Sequence, residues 1–168
     1  VLEYARVQQR LPRHYVQAVG SGTGGIAAWE AGMRLRASGF EGPLPQLHLA
    51  QNVPFTPIHD AWTSRRPIEP DRDVHGQLER IAAISAPVLA NRTPPYAVGG
   101  GVRDALDATA GHTYAVTNAE IRAAQRLLEL SEGVPIGPES GAALAALGQG
   151  VSRSWIRLAD PVLLHVTG

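Results

Sequence analysis

The sequence contains no cysteine. Disulfides, a thiolate nucleophile and a cysteine-type zinc site are therefore excluded. It contains no lysine either, and all 15 basic residues are arginine. A Walker-type phosphate loop ends in Gly-Lys-Ser/Thr, so a P-loop NTPase is excluded. A lysine Schiff base cannot form within this polypeptide. Acidic residues also number 15, and the formal net charge is zero. A nucleic-acid surface would need a basic face, so no nucleic acid is expected as a partner. No apolar run reaches the ~18 residues that a membrane span requires. The opening Val1-Leu2-Glu3-Tyr4 lacks the charged and apolar regions of a signal peptide. A reducing cytoplasm is the expected location. The six histidines share no ligand spacing such as H-x-x-x-H, so no metal site is expected. His48 and His165 are assigned structural roles.

With 168 residues and an apolar share of 44%, the chain is one ordinary domain or a piece of a larger one. It does not begin with methionine, and its opening has the character of the middle of a domain. The most informative stretch is Tyr15 to Glu30. Its pattern is a buried strand, a glycine-rich turn and a helix. Gly20-Ser21-Gly22-Thr23-Gly24-Gly25 occupies the hand-over. Glycine permits positive φ and a close approach to the main chain. The first amides of a helix have no partner inside it, and with the helix dipole they form an anion site. Ser21 and Thr23 add hydroxyl donors that a bare turn would not need. The loop is expected to hold a phosphate group.

The remaining elements alternate. Residues 1–14 form a helix end and lead-in. Tyr15–Val19 is the first strand, and a helix follows from about Gly24 to Ala37. Leu47–Ala50 is a second strand, so the order is that of a βαβ unit with parallel strands. Short helices are expected at Ile58–Thr63 and Val74–Ser85, with a surface segment from Ser64 to Asp73 between them. Val88–Ala90 reads as a strand end. A long loop then runs from Asn91 to Gly111, with one or two helical turns at Val102–Ala108; loops of this length are usually functional. Thr113–Thr117 is a strand, and Asn118 is the expected N-cap of a helix over 119–132. Val134–Ile136 is a short strand or bend. Ser140 or Glu139 opens a helix to Leu147, and Val162–Val166 is a last buried strand. The fold class is α/β: an open, mostly parallel twisted sheet flanked by helices in three layers. In such sheets ligands lie at the carboxyl ends of the strands. Gly20–Gly25, Asn91, Asn118 and Thr167-Gly168 all fall at such ends.

The loop fits G-x-G-x-x-G, the dinucleotide pattern. Its confirming feature is an acidic residue at the end of the second strand. That place holds Gln51-Asn52, which argues against NAD. Arg92 and Arg103 flank the long loop, and arginine forks bind phosphate or sulfite oxygens; the alternative is a pair of solvated loop arginines. Asn91 and Tyr96 are candidates to line a pocket. Ser140, in Glu139-Ser140-Gly141, has no paired base and is expected to cap a helix.

Tyr15 to Glu30 also resembles the phosphate loop of fold-type-II pyridoxal-phosphate enzymes in the threonine synthase group, and most closely the cysteate synthase branch. The resemblance continues through Leu47–Phe55, Val88–Tyr96, Gly100–Leu106, Tyr114–Glu120 and Leu163–Gly168. It implies pyridoxal 5′-phosphate as cofactor, its phosphate on Gly20, Ser21, Gly22, Thr23 and Gly24. It implies that Thr167 hydrogen-bonds the pyridine nitrogen. Asn91, Arg92 and Tyr96 are the candidates to face the substrate. The reaction implied is replacement of the phosphate of O-phospho-L-serine by sulfite, giving L-cysteate. The family's catalytic lysine lies in an earlier Ser-Phe-Lys-like segment that these residues do not include. No catalytic residue is therefore assigned within the chain. Residues 1–168 are expected to be a single α/β domain, the C-terminal, phosphate-binding part of a longer tryptophan synthase β-like unit. The expected partners are a lysine-bearing N-terminal segment or subunit and an O-phosphoserine-like substrate, in a homo- or hetero-oligomer. The alternatives are threonine synthase or another O-phospho-amino-acid lyase of the same fold, and a non-catalytic companion subunit or phosphate-ligand module that only binds or regulates.

Overall fold

The computed structural model describes residues 1–68 and 73–167. The elements, in chain order, are α1 (Leu2–Gln8), β1 (His14–Ala18), α2 (Thr23–Ala37), β2 (Gln46–Asn52), α3 (Pro57–Ser64) and α4 (Val74–Ala83). They continue with α5 (Val102–Ala108), β3 (His112–Val116), α6 (Asn118–Glu132), α7 (Pro138–Ser152) and β4 (Val162–Leu164). The four strands form one parallel sheet in the order β3-β2-β1-β4. The register pairs Val16 with His48 and with Leu164, and His48 with His112.

Alternation along each strand divides the side chains between two faces. Tyr15, Leu47 and Leu49 pack on one face with Ile58 of α3 and Val102, Ala105 and Leu106 of α5, and with Ala28 of α2. Val16, Ala50, Tyr114 and Val116 pack on the other with Ile121 of α6 and Ala142 and Ala146 of α7. Helices thus cover both faces, and the three-layer α/β expectation holds. The α7 sequence is rich in alanine and glycine; Ser140, Gly141, Ala142, Ala143, Ala146 and Gly150 are all buried. Small side chains let this helix lie close against the sheet.

Several boundaries differ from expectation. Val88–Ala90 is no strand; Pro87–Leu89 is a 3-10 turn. Thr117, not Asn118, caps α6. The Glu120 amide donates to Thr117 Oγ1 at 3.2 Å, and the Thr117 amide donates to Glu120 Oε2 at 2.8 Å. This reciprocal box satisfies two amides at once. Asn118 is used elsewhere. Its Oδ1 accepts from Asn52 Nδ2 at 2.9 Å and from the Ser85 amide at 3.0 Å, and its Nδ2 donates to Ala83 O at 2.8 Å. Asn52 and Asn118 together latch the end of α4 onto β2 and β3. Helix α7 starts earlier than expected, at Pro138 after Gly137, and runs on to Ser152. Proline suits the first helical position because its missing amide would be unpaired there anyway. Ser140 therefore lies inside the helix and does not cap it. Val134–Ile136 forms no strand. Strand β4 is a short, half-buried edge, where a longer buried strand was expected. Residues 69–72 of the expected surface segment, and Gly168, lie outside the described residues.

Candidate functional site

The loop between β1 and α2 is shaped from beneath. Gly22 has φ of 80°, a conformation that a residue with Cβ rarely adopts. A Cβ there would also run into Val102 Cγ2. A Cβ on Gly20 would meet the carbonyl oxygen of Leu89 at 2.9 Å, and one on Gly24 would collide with the Gln17 amide. These three glycines are needed by the packing under the loop. That leaves the main chain itself facing outward.

Val19 is the last residue of the run whose amide joins the sheet, donating to Ala50 O at 2.8 Å. Helical bonding resumes at Ile26, whose amide donates to Gly22 O at 3.1 Å. Between them, the amides of Gly20, Ser21, Gly22, Gly24 and Gly25 make no hydrogen bond among the described residues. Ser21 Oγ and Thr23 Oγ1 lie 2.9 Å apart. Two hydroxyls that share one bond keep one hydrogen to donate outward. Gly20, Ser21 and Gly24 are half-buried and Thr23 is exposed, whereas Gly22 and Gly25 are buried, so the loop is open at the first four and closed at the last two. The donors stand at the positive end of the 15-residue α2, where anionic oxygens are stabilised. Donors of this kind, amides and a hydroxyl with no acceptor among the described residues, are of the chemistry that a phosphate monoester requires.

The β1–β4 register carries Thr167 to the same end of the sheet. His14, Tyr15 and Val16 pair with Val162, Leu163 and Leu164, and the His165 amide donates to Val16 O at 2.9 Å. Thr167 is exposed beyond the strand end. Its amide donates to Ser140 Oγ at 2.7 Å, and its carbonyl accepts from the same oxygen at 2.5 Å.

The other candidates are dispersed. Asn91 is half-buried, and its Oδ1 accepts from the Thr93 amide at 2.9 Å in a local turn. Arg92 is exposed and donates through Nε to Gln77 Oε1. It borders a cavity of about 600 Å³ together with Pro54, Phe55, Asp60 and Arg66. Arg103 lies on α5 beside Asp107, with Nε 3.8 Å from Oδ2. Tyr96 is 4% exposed and belongs to the core with Val102 and Leu106. Burial raises its phenol above the ordinary range. The structure thus brings Gly20–Gly24 and Thr167 to one end of the sheet, and places Tyr96 in the core beneath α5. Gln51, at the position where a dinucleotide site would carry an acid, is 1% exposed. Its Oε1 accepts from the amides of Ile58 and His59 at 2.8 and 3.1 Å and so holds the start of α3. Among the described residues no cluster of three or more His, Cys, Asp or Glu could hold a metal ion, and no helix is long and apolar enough to cross a membrane.

The sequence-based reading missed Ser140, whose partner lies 27 residues away, and the use of Gln51 and Asn52. For the capping pair the signal was present as Thr117-x-x-Glu120.

A parallel α/β sheet with a glycine-rich loop at its carboxyl end agrees with the family comparison. Residues 1–168 match the family of pyridoxal-phosphate dependent enzymes, and the chain belongs to it. Pyridoxal 5′-phosphate is the cofactor of that fold-type-II family. The chain is 50% identical over 170 aligned residues to a cysteate synthase of Methanocella arvoryzae, and 47% identical to one of Methanoregula boonei. In both cases the alignment covers 100% of the chain and 40% of the relative. The chain therefore spans about two-fifths of the length of these curated relatives. Among solved structures, serine racemase from Dictyostelium discoideum superposes with a TM-score of 0.66 at 15% identity, over 99% of this chain and 46% of that one. A fungal L-serine ammonia-lyase from Rhizomucor miehei gives 0.66 at 13% identity, over 99% and 49%. At such identities the likeness is one of fold.

Proposed function

We propose that this chain is the cofactor-phosphate-holding portion of a larger pyridoxal-phosphate enzyme that performs β-replacement in the manner of cysteate synthase. The expected reaction joins O-phospho-L-serine and sulfite to give L-cysteate and phosphate. The observation that carries this reading is the set of amides of Gly20, Ser21, Gly22, Gly24 and Gly25 that make no hydrogen bond among the described residues, at the carboxyl end of β1. The chain's similarity, at 50% identity over its whole length, to a cysteate synthase supports the choice of reaction.

In this reading Gly20, Ser21, Gly22, Thr23 and Gly24 bind the phosphate through amides and the outward hydroxyl hydrogen. Thr167 presents its hydroxyl to the pyridine nitrogen. A neutral hydroxyl, unlike a carboxylate, does not keep that nitrogen protonated. The bound cofactor supplies the electron sink that lets the Cβ substituent leave and be replaced. Arg92, held by Gln77, and Asn91 are assigned to the anionic groups of the substrate. With no lysine in the chain, the amine that holds the cofactor aldehyde comes from another segment of the same protein or from a partner subunit.

The test is made on the natural full-length protein. Pyridoxal phosphate is titrated by visible absorbance, and phosphate release is followed with O-phospho-L-serine with and without sulfite. Sulfite-dependent L-cysteate, and weaker cofactor binding after Ser21→Ala with Thr23→Ala, are expected. Binding of NAD with no uptake of pyridoxal phosphate would overturn the reading.

A further inference from the structure

Thr167 lies beyond the last residue of β4, Leu164, where the sheet ladder no longer holds the chain. The final ladder bond is that of the His165 amide to Val16 O. After it, the hydrogen bonds that hold the described main chain both come from one side chain, Ser140. Ser140 is 1% exposed in the first turn of α7. Its hydroxyl accepts from the Thr167 amide at 2.7 Å and donates to the Thr167 carbonyl at 2.5 Å. A serine hydroxyl has one hydrogen and two lone pairs. Here the hydrogen and one lone pair are spent on the two main-chain groups of a single residue. Those groups belong to the peptide planes on either side of the Thr167 Cα. Fixing both fixes the direction in which Cβ leaves the chain, and leaves the Thr167 hydroxyl only its χ1 rotamers. Ser140 is itself held in place: the Gly141 amide donates to Gly137 O at 3.0 Å, and at Gly141 the helix lies so close to α6 that a Cβ would come within 3.0 Å of Ile121 O.

We propose that Ser140 is a positioning residue for Thr167. It transmits the rigid seat of α7 to the hydroxyl that meets the pyridine nitrogen, without touching the cofactor itself. This inference rests on the assignment of Thr167 to that nitrogen, and the test separates the two.

The experiment is a double-mutant cycle on the natural full-length protein with Ser140→Ala, Thr167→Val and both together. Its readouts are the dissociation constant of pyridoxal phosphate, the pH dependence of the bound cofactor's visible absorbance, and the melting temperature. Thr167→Val is expected to weaken cofactor binding about five- to tenfold, the scale of one hydrogen bond, and to shift the absorbance profile. Ser140→Ala is expected to shift the profile in the same sense. The double variant is expected to match Thr167→Val in both cofactor readouts, because two residues acting through one contact are not additive. Additive effects, or a lowered melting temperature with the cofactor readouts unchanged, would overturn the inference and leave the Thr167 assignment standing. Silence of Thr167→Val would overturn that assignment, and the inference with it. Should Ser140→Ala not fold, hydrogen exchange in the unaltered protein decides. The Thr167 amide must then exchange more slowly than the Val166 amide, and equal rates would refute the clamp.

Discussion

The two ends of the sheet handle polar groups in opposite ways. At the carboxyl end the amides of Gly20, Ser21, Gly22, Gly24 and Gly25 find no acceptor among the described residues, and Gly20, Ser21 and Gly24 are half-buried. In the amino-terminal half, on the α6–α7 face, polar side chains are buried and matched one to one. His14 and His48 are 2% and 0% exposed. His14 Nδ1 lies 2.9 Å from His48 Nε2, His48 Nδ1 lies 2.6 Å from the Tyr114 hydroxyl, and His14 Nε2 lies 3.2 Å from Asp160 Oδ2. Asp160 is also bound by Arg157, at 3.1 Å, and its carboxyl is held well below the usual range, by Arg157 first and by His14 as well. A carboxylate only accepts, so His14 donates through Nε2. Neutral His14 then accepts at Nδ1 from His48 Nε2–H, and neutral His48 accepts at Nδ1 from Tyr114 O–H. One direction of donation satisfies the whole chain. The contrast separates a site from a structural device. Surplus donors are able to take a ligand, whereas a closed chain has no free group to offer one. Helix α7 joins the two, with Ser140 at the Thr167 end and Gly150 against the Tyr114 hydroxyl, where a Cβ would come within 2.9 Å.

The largest effect is expected where the cradle is shaped from below. Gly22→Val would force a β-branched residue to φ of 80° and drive its side chain into Val102. A loss of about 3 kcal/mol or more is expected, read as a lower urea midpoint. Gly148 is exposed in α7, and a methyl group added there would meet nothing within 4 Å. It gives the opposite sign: Gly148→Ala should gain about 0.5–1 kcal/mol of helix propensity. If Gly22→Val folds with unchanged stability, the glycines are not there for packing.

Next in size is His48→Leu. It strands His14 Nδ1 and the Tyr114 hydroxyl in a dry interior, at a cost of about 2–3 kcal/mol. A loss within error would show that the chain is decoration. This network was hidden from sequence reasoning for a physical reason. His14, His48 and Tyr114 are far apart along the chain; in sequence His14 belongs to a polar lead-in and His48 and Tyr114 to two separate strands. Only the pairing of Val16 with His48 and of Ala50 with Tyr114 brings them into line. The Gly20–Gly25 loop was legible because strand, turn chemistry and helix all follow one another locally. Asn118 misled because it is as good a capping residue as Thr117. The deciding sign was Glu120, three residues after Thr117. Ser140 misled in the same way, since its partner is set by where β4 ends and not by its neighbours in sequence.

A smaller effect follows from acidification. Burial is the main reason that the imidazole of His48 is pushed down to about 3, with His14 and His112 adding like charge when protonated; burial also lowers His14. In the unfolded chain both return towards about 6.5. The folded state then binds fewer protons than the unfolded one between these values, so stability is full above about pH 6.5 and falls as the pH drops towards 3. For His48 alone the slope approaches about 1.4 kcal/mol per pH unit. Protonating His14 at Nδ1 sets that N–H against the His48 Nε2–H at 2.9 Å, and protonating His48 at Nδ1 sets it against the Tyr114 O–H at 2.6 Å. Urea unfolding across pH 4–8 measures the slope, and His48→Leu should flatten it. A slope that His48→Leu leaves unchanged would assign the acid lability elsewhere.

The smallest change tests the open end directly. Ser21→Ala and Thr23→Ala each remove one hydroxyl from a pair whose internal bond spans 2.9 Å. Both groups face a partly solvated surface, so the unliganded protein should lose less than about 0.5 kcal/mol. With a phosphate ligand present, each loss removes a donor or its orienting partner, worth about 1 kcal/mol and roughly fivefold in the dissociation constant. The ligand-dependent and ligand-free effects must therefore diverge at Ser21 and Thr23, while for His48→Leu they coincide. Equal losses with and without ligand at Ser21 would make the loop a structural turn like the rest of the sheet.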